Sequence, residues 1–318
     1  MWGATATGKT SFLAALYATL YAQGTGWRLR GNDQASEDKL VELTDLLVNK
    51  RVFPPASVGL ETYHWSLVGE VPNTEWRWYG PRRRPADVVI PLTVVDAAGE
   101  VARASARELA GASAAEVARA SRVAQRESTQ RFVAHLANST GIVFFYDPIR
   151  EFKEQDAFEH TFGVLTRLDS RMKPHGKLPH HVAVCVTKFD QWRMFEAARQ
   201  MGILDFDTDP PYSPRVMESD AREFFEQLCR VSKTRTARLV LELLEGTFRK
   251  DRIRYFVTSS IGFYIDQYSG VFDQRDYQQQ IKGATANDMD RVRGDVWPIN
   301  VVEPIIWLGQ QLTRAAGR

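Results

Sequence analysis

Gly3-Ala4-Thr5-Ala6-Thr7-Gly8-Lys9-Thr10 matches the pattern GxxxxGK[ST], and the chain runs from it straight into a helical stripe. No other stretch constrains the fold as much, because a loop of this kind works only between a strand and the first turn of a helix. Phe12, Leu13, Leu16, Tyr17, Leu20 and Tyr21 recur at helical spacing. They predict a helix over 9–23 with one face on a sheet, not the uniformly apolar segment of a secretory leader. Glycines let such a loop wrap an anion with its backbone N–H groups, and the helix N-terminus adds to the attraction. Lys9 brings a point charge for the outer phosphates, and Thr10, with Ser11 beside it, a hydroxyl for Mg²⁺. Gly3, Ala4, Thr5, Ala6, Thr7, Gly8, Lys9, Thr10 and Ser11 are therefore the candidate phosphate-binding residues, with Lys9 also the candidate catalytic cation.

The remaining chain has the alternation that an α/β fold requires. Short apolar runs at 141–147, 181–187 and 254–258 are separated by helical stretches, as in a parallel sheet wound on both faces. Segments 62–69 and 87–95 are rich in aromatic and β-branched residues and flank the Pro/Arg-rich stretch 81–85. They read as an antiparallel hairpin around a turn, with 87–95 joining the parallel set. Helices are predicted near 37–49, ending before Pro54-Pro55, over the Ala- and Arg-rich stretch 101–138, and at the close over 301–312. The expected fold class is a three-layer α/β P-loop NTPase fold, a mostly parallel sheet with one antiparallel hairpin strand. One domain is expected over 1–318, with insertions near 191–218 and 262–298, which are rich in Pro, Gly, Asp and Gln.

Composition excludes several classes of function. With 44% hydrophobic content over 318 residues the chain can bury a sizeable core. Lys plus Arg number 41 against 39 Asp plus Glu, a formal charge of +2, so nothing implies a nucleic-acid partner. Cys185 and Cys229 stand in no metal-ligand spacing, and a reducing cytoplasm is the expected compartment. The longest apolar runs are far below the ~20 residues of a membrane-crossing helix, so no membrane span is expected.

Two further motifs lie where ligands bind in open α/β sheets, at the carboxyl ends of apolar strands. Asp96-Ala97-Ala98-Gly99 is a DxxG: Asp96 would supply a carboxylate to the Mg²⁺ shell and Gly99 a backbone N–H that senses the last phosphate. Thr187-Lys188-Phe189-Asp190 fits [NT]KxD. Guanine presents two adjacent donors, N1–H and the N2 amine, and one carboxylate, Asp190, can accept both, whereas adenine lacks that pair. The stem of Lys188 can lie along the base plane. Ser259 and Ser260, in Thr258-Ser259-Ser260-Ile261-Gly262, are placed for a backbone N–H contact to the guanine carbonyl.

These four elements, in this order from Gly3 to Gly262, resemble the regulatory GTPases of the translation-factor-related P-loop class. The resemblance implies a molecular switch that binds GTP with Mg²⁺, hydrolyses it to GDP and controls a protein partner. Residues 52–57, Gly141-Ile142-Val143-Phe144-Phe145-Tyr146-Asp147-Pro148 and the terminal Trp297-Pro298, Glu303-Pro304 and Trp307-Leu308 are similar to the bacterial double-GTPase family. Proteins of that family are thought to act in GTPase-associated conflict or signalling systems, which implies protein partners here. The family pattern also places a complete apolar strand ahead of the loop, where this sequence has Met1 and Trp2, so the first strand is expected to be missing. Glu100 stands where many GTPases place a glutamine that orients the attacking water, which implies slow turnover. Ser57, with Thr62 as fallback, matches the switch hydroxyl that completes the Mg²⁺ shell.

Other features have structural readings beside their functional ones. Arg82, Arg83 and Arg84 near Trp76 and Trp78 form either a docking edge or a solvated turn. Arg51 is a candidate built-in arginine finger, and Cys185 reads as a small buried hydrophobe. A catalytically inactive nucleotide-binding scaffold and a P-loop ATPase remain as alternative functions. The second would need an apolar strand ending in Asp-Glu, and the sequence has none.

Overall fold

The computed structural model describes residues 1–4, 6–23, 26–55, 62–77, 80–95, 127, 129–172, 176–232, 235–283 and 289–316. Its centre is a parallel sheet of four strands in the order β1 (Trp2–Gly3), β5 (Gly141–Tyr146), β6 (His181–Val186) and β9 (Ile253–Val257). The sequences of β5 and β6, GIVFFY and HVAVCV, are apolar without interruption, which suits strands covered on both faces. Alternate side chains go to opposite sides. Ile142, Phe144, Tyr146, Val182, Val184 and Val186 enter a core with Leu165, Phe224, Val240 and Leu244. Val143, Phe145, Ala183 and Cys185 enter a second core with Phe12, Leu16, Ile305 and Leu308.

Helices supply both outer layers. On one face lie α4 (Ala157–Met172), α6 (Glu218–Val231) and α7 (Thr236–Thr247), with α3 (Pro148–Glu154) at the top of β5 and α5 (Trp192–Met201) following β6. On the other face lie α1 (Lys9–Gln23), α2 (Gln34–Thr44), which continues into one π turn at Asp45–Asn49, and α8 (Glu303–Ala316). Asp33 caps α2 by accepting the Ser36 N–H at 2.8 Å. Residues 129–138 are helical, and the rest of the predicted helix over 101–138 lies outside the described residues, apart from 127.

The first strand corrects the expectation that it is missing. Trp2 and Gly3 stand in its place, parallel to β5 and paired with Phe144 and Phe145. Trp2 is fully buried, and its ring centroid lies 4.7 Å from that of Phe144. Two residues cannot show a strand period, so the sequence carries no signal for this element.

The second correction concerns 87–95. β4 (Gly80–Val95) is not in the parallel sheet; it pairs antiparallel with β3 (Thr62–Arg77), which pairs in turn with β2 (Arg28–Gly31). Burial along β4 alternates: Val89 is 59% exposed while Ile90 and Leu92 are buried, so one face of this strand meets solvent, as antiparallel strands allow. The predicted turn at 81–85 is also corrected, because these residues continue the ladder, Arg82 opposite Glu75 and Arg83 opposite Thr74. The two sheets meet where the Met1 nitrogen donates to Thr93 O at 3.0 Å. Across that junction α8 covers Ile90, and Gly309 leaves the space that the Ile90 side chain fills.

Both segments expected as insertions carry core residues. Between 191 and 218 lie α5, with buried Phe195, and the hairpin of β7 (Leu204–Phe206) and β8 (Pro214–Val216). Between 262 and 298, Phe263, Phe272 and Tyr277 pack on Phe195, and β10 (Gln280–Ile281) pairs with β11 (Arg291–Val292).

Because Trp2 packs in β1 against Phe144, Trp2→Ala opens a cavity there and should lower unfolding stability by about 3–5 kcal/mol in denaturant titration. Trp297→Ala, at a residue 41% exposed, should cost less. Equal, small losses in both would show that the first two residues are not part of the core.

Candidate functional site

The parallel register brings strand ends to one level, since Gly3 lies opposite Phe145, Tyr146 opposite Val186, and Val186 opposite Val257. The loops that follow are therefore neighbours. A cleft of about 280 Å³ opens between them, lined by residues 6–11, Thr187, Lys188, Asp190, Ser260 and Ile261. Phe53, Pro54, Pro55, Gln191, Gln280 and Asp290 complete the lining. Its volume is near the lower end of the ~300–1,000 Å³ range of ligand clefts. A larger hollow of about 1000 Å³ lies elsewhere, between Tyr17, Val48, Pro211 and Trp297, and holds none of the predicted site residues.

The loop after β1 is held by close packing and left-handed backbone. Gly3 tolerates no side chain, because a Cβ there would meet Phe145 O at 2.7 Å. Ala6 at φ 61° and Gly8 at φ 90° are left-handed, and alternation of this kind turns successive N–H groups toward one point. Thr7 Oγ1 donates to Ala4 O at 2.8 Å, and the Phe12 N–H to Gly8 O at 2.8 Å starts α1. Lys9 is buried under this loop, its ammonium donating to Gly3 O at 3.1 Å and Ala4 O at 2.9 Å. Thr10 and Ser11 face the cleft from the first turn of α1.

On the opposite side, Thr187 ties the loop after β6 to β5, its N–H and Oγ1 donating to Tyr146 O at 2.9 and 3.1 Å. Lys188, at φ 62°, reaches across the sheet top, and its ammonium lies 2.6 Å from Asp147 Oδ2. Asp147 is buried; its Oδ1 caps α3 by accepting the N–H groups of Ile149 and Arg150 at 2.9 and 3.0 Å. The sequence does carry a signal for this aspartate, since Asp before Pro at a strand end marks a helix start.

Asp190 is 6% exposed. Its Oδ1 accepts from Ser259 Oγ at 2.5 Å and its Oδ2 from Gln191 Nε2 at 3.0 Å. Burial pushes its carboxyl above the ordinary aspartate value, opposed by those two hydrogen bonds and by the charge of Lys188. Ser259 departs from its expected use as a backbone donor to a ligand. Its N–H is taken by Ile299 O at 3.0 Å, while its hydroxyl accepts from the N–H of Gly262 at 2.9 Å besides holding Asp190. Gly262, at φ 66°, passes so close to the Trp297 backbone that a Cβ there would meet Trp297 O at 1.8 Å. Ser260 lines the cleft.

Other predicted residues divide between those placed elsewhere and those not described. Arg51 pairs with Asp295 at 2.6 Å and is not among the residues that line the cleft. Thr62 opens β3 in register with Val95. Thr5, Ser57, Asp96, Gly99 and Glu100 lie outside the described residues. Both cysteines are free and buried; burial pushes their thiols up, that of Cys229 to about 12. Among the described residues no three His, Cys, Asp or Glu side chains cluster as a metal site, and no helix is long and apolar enough to cross a membrane. Gln191, Gln280 and Asp290 were missed. Gln280 lies 89 residues from Gln191 in a short Gln-rich stretch without a motif, so only the fold could bring them together.

The burial of Asp190 has a stability consequence. A carboxyl whose folded value is raised binds its proton more tightly when folded, so it destabilises the fold above that value, and the penalty vanishes below the unfolded value near 3.8. Asp190→Asn should therefore raise stability at pH 7 by about 0.5–2 kcal/mol, a gain typical of relieving functional strain. The gain should shrink as the pH falls toward 4, as followed by denaturant midpoints; a gain independent of pH would contradict the buried charge.

No family model matches the chain, and no curated protein does.

Proposed function

We propose that this chain is a guanine-nucleotide-binding switch, which binds GTP with Mg²⁺, hydrolyses it slowly to GDP and controls a protein partner. One observation carries the reading: a loop with two left-handed residues ahead of a helix and a buried carboxylate 180 residues away line the same cleft at the carboxyl ends of β1, β6 and β9. The residues fit such a ligand. Backbone N–H groups of residues 6–10 would face the phosphates, with Lys9 turning its ammonium from the loop carbonyls to the anion. Thr10 would hold Mg²⁺, whose role is to neutralise charge on the outer phosphates. Mg²⁺ takes few protein ligands, so a cluster of carboxylates is not required. Asp190, held by Ser259, would accept N1–H and the N2 amine of guanine. Lys188, with its ammonium on Asp147, would lay its stem beside the base.

Turnover rests on Ser57, Asp96, Gly99 and Glu100, and Glu100 favours the second reading, a nucleotide-binding scaffold without hydrolysis. The ATPase alternative fits less well, because a carboxylate facing the base would oppose the ring-nitrogen acceptor of adenine.

Competition against a fluorescent guanine nucleotide tests the proposal. Lys9→Ala should abolish binding while leaving the folded fraction unchanged. Asp190→Ala should weaken GTP by roughly 30- to 1,000-fold, since a charge-assisted pair contributes about 2–4 kcal/mol, and leave any ATP binding unchanged. Asp190→Asn should move preference from GTP to XTP, because an amide offers one acceptor and one donor. Wild-type preference for ATP would refute guanine reading; GTP binding without phosphate release would promote the scaffold.

A further inference from the structure

Asp190 is attached to more than its own loop. Gln191 Nε2 donates to Asp190 Oδ2 at 3.0 Å and to Gln280 Oε1 at 2.8 Å. Gln280 Nε2 donates in turn to Asp290 Oδ2 at 2.5 Å, and Asp290 Oδ1 accepts the Gly283 N–H at 3.1 Å. Asp290 immediately precedes β11, whose Arg291 bridges antiparallel to Val52 and whose Val292 N–H donates to Arg51 O at 2.8 Å. The Phe53 N–H approaches Asp290 O at 3.5 Å. A polar chain thus runs from the buried carboxylate through two carboxamides to the carboxylate of Asp290, whose own backbone carbonyl faces the Phe53 N–H, and the cleft wall includes Gln191, Gln280, Asp290 and Phe53.

Resting on the guanine reading above, we propose that Gln191 and Gln280 are positioning residues for base recognition, fastening Asp190 to the β10–β11 hairpin and, through Asp290, to the segment that walls the cleft at Phe53. The physical argument is directional. A carboxylate that must accept two parallel donors has to be held in one plane, and Ser259 fixes only one of its oxygens. Gln191 fixes the other, and Gln191 is itself a long side chain whose rotamer is set by Gln280. The two glutamines contribute no charge, so they leave the carboxylate's capacity as an acceptor intact while restricting its rotation. A base seated on Asp190 therefore meets a geometry that depends on Gln280, Asp290 and β11.

Two measurements test this. In the nucleotide-free protein, Gln280→Leu and Gln191→Leu should speed amide hydrogen exchange at Phe53 and Val292, with little change in the core strands β5 and β6. In binding, either substitution should weaken GDP by roughly 3- to 10-fold, the scale of one lost hydrogen bond, and lower the GDP-over-XDP preference by a similar factor. The double variant should cost no more than the worse single, since both cut one chain. Asp290→Asn, which keeps an acceptor for Gln280, should retain most of the affinity. A loss of affinity with the GDP-over-XDP ratio unchanged would make the glutamines merely structural and overturn the proposal, as would additive losses or unchanged exchange at Phe53 and Val292. Faster exchange in the variants, in a wild-type protein that binds no guanine nucleotide, would overturn the guanine reading and leave the anchoring of Asp190 standing.

Discussion

The parallel register of β5 and β6 is the constraint from which the cleft follows. Both strands are buried on both faces, so each is fixed in register by two packed cores, and a slip of one residue would exchange Phe144 and Val184 with Phe145 and Cys185 across the sheet. With that register set, Asp147 and Thr187 emerge at the same height, and Thr187 bonds to Tyr146 O because no other position would bring them together. Thr258 then donates to Val186 O at 2.8 Å, which places Ser259 within reach of Asp190. Hydrophobic burial positions polar groups that could not assemble by themselves.

What those groups do locally runs against stability. Ala6 and Lys188 adopt left-handed backbone angles that cost a residue with a Cβ about 1–2 kcal/mol each. Asp190 and Lys9 are charged and nearly enclosed, and each is tolerable only because hydrogen bonds replace lost water. Strain and buried charge of this sort gather where a ligand is handled, and the surrounding packing of Phe189, Phe224 and Phe263 supplies the stability that offsets them.

The features legible in the sequence were those encoded by neighbours in the chain. Gly3 and Gly8 announce a backbone that only glycine accommodates well, and the stripe Phe12 to Leu20 announces a helix, because both requirements are local. β5 and β6 were legible for the same reason, as apolar runs, and β9 as a shorter one interrupted by Arg254. The run 87–95 misled because Val89 and Pro91 look apolar by composition yet face outward; letters record hydrophobicity, not exposure. Trp2–Gly3 was too short to have a period. Ser259 reads as a backbone donor, but Ile299, forty residues later, takes its N–H and leaves the hydroxyl to hold Asp190. Gln280 and Asp290 carried no signal, since their partners are set by tertiary packing alone.

The cleft carries groups of both charge signs. Lys9, in the first turn of α1, lines it together with Asp190 and Asp290. Lys188 is drawn to the buried Asp147, its ammonium 2.6 Å from that carboxylate, and its charge also offsets the burial of Asp190. On the guanine-nucleotide reading proposed above, the anionic tail would sit toward Lys9, because the reverse placement would set phosphate against two carboxylates. The geometry of Asp190, fixed by Ser259 and Gln191, would then set which base is accepted.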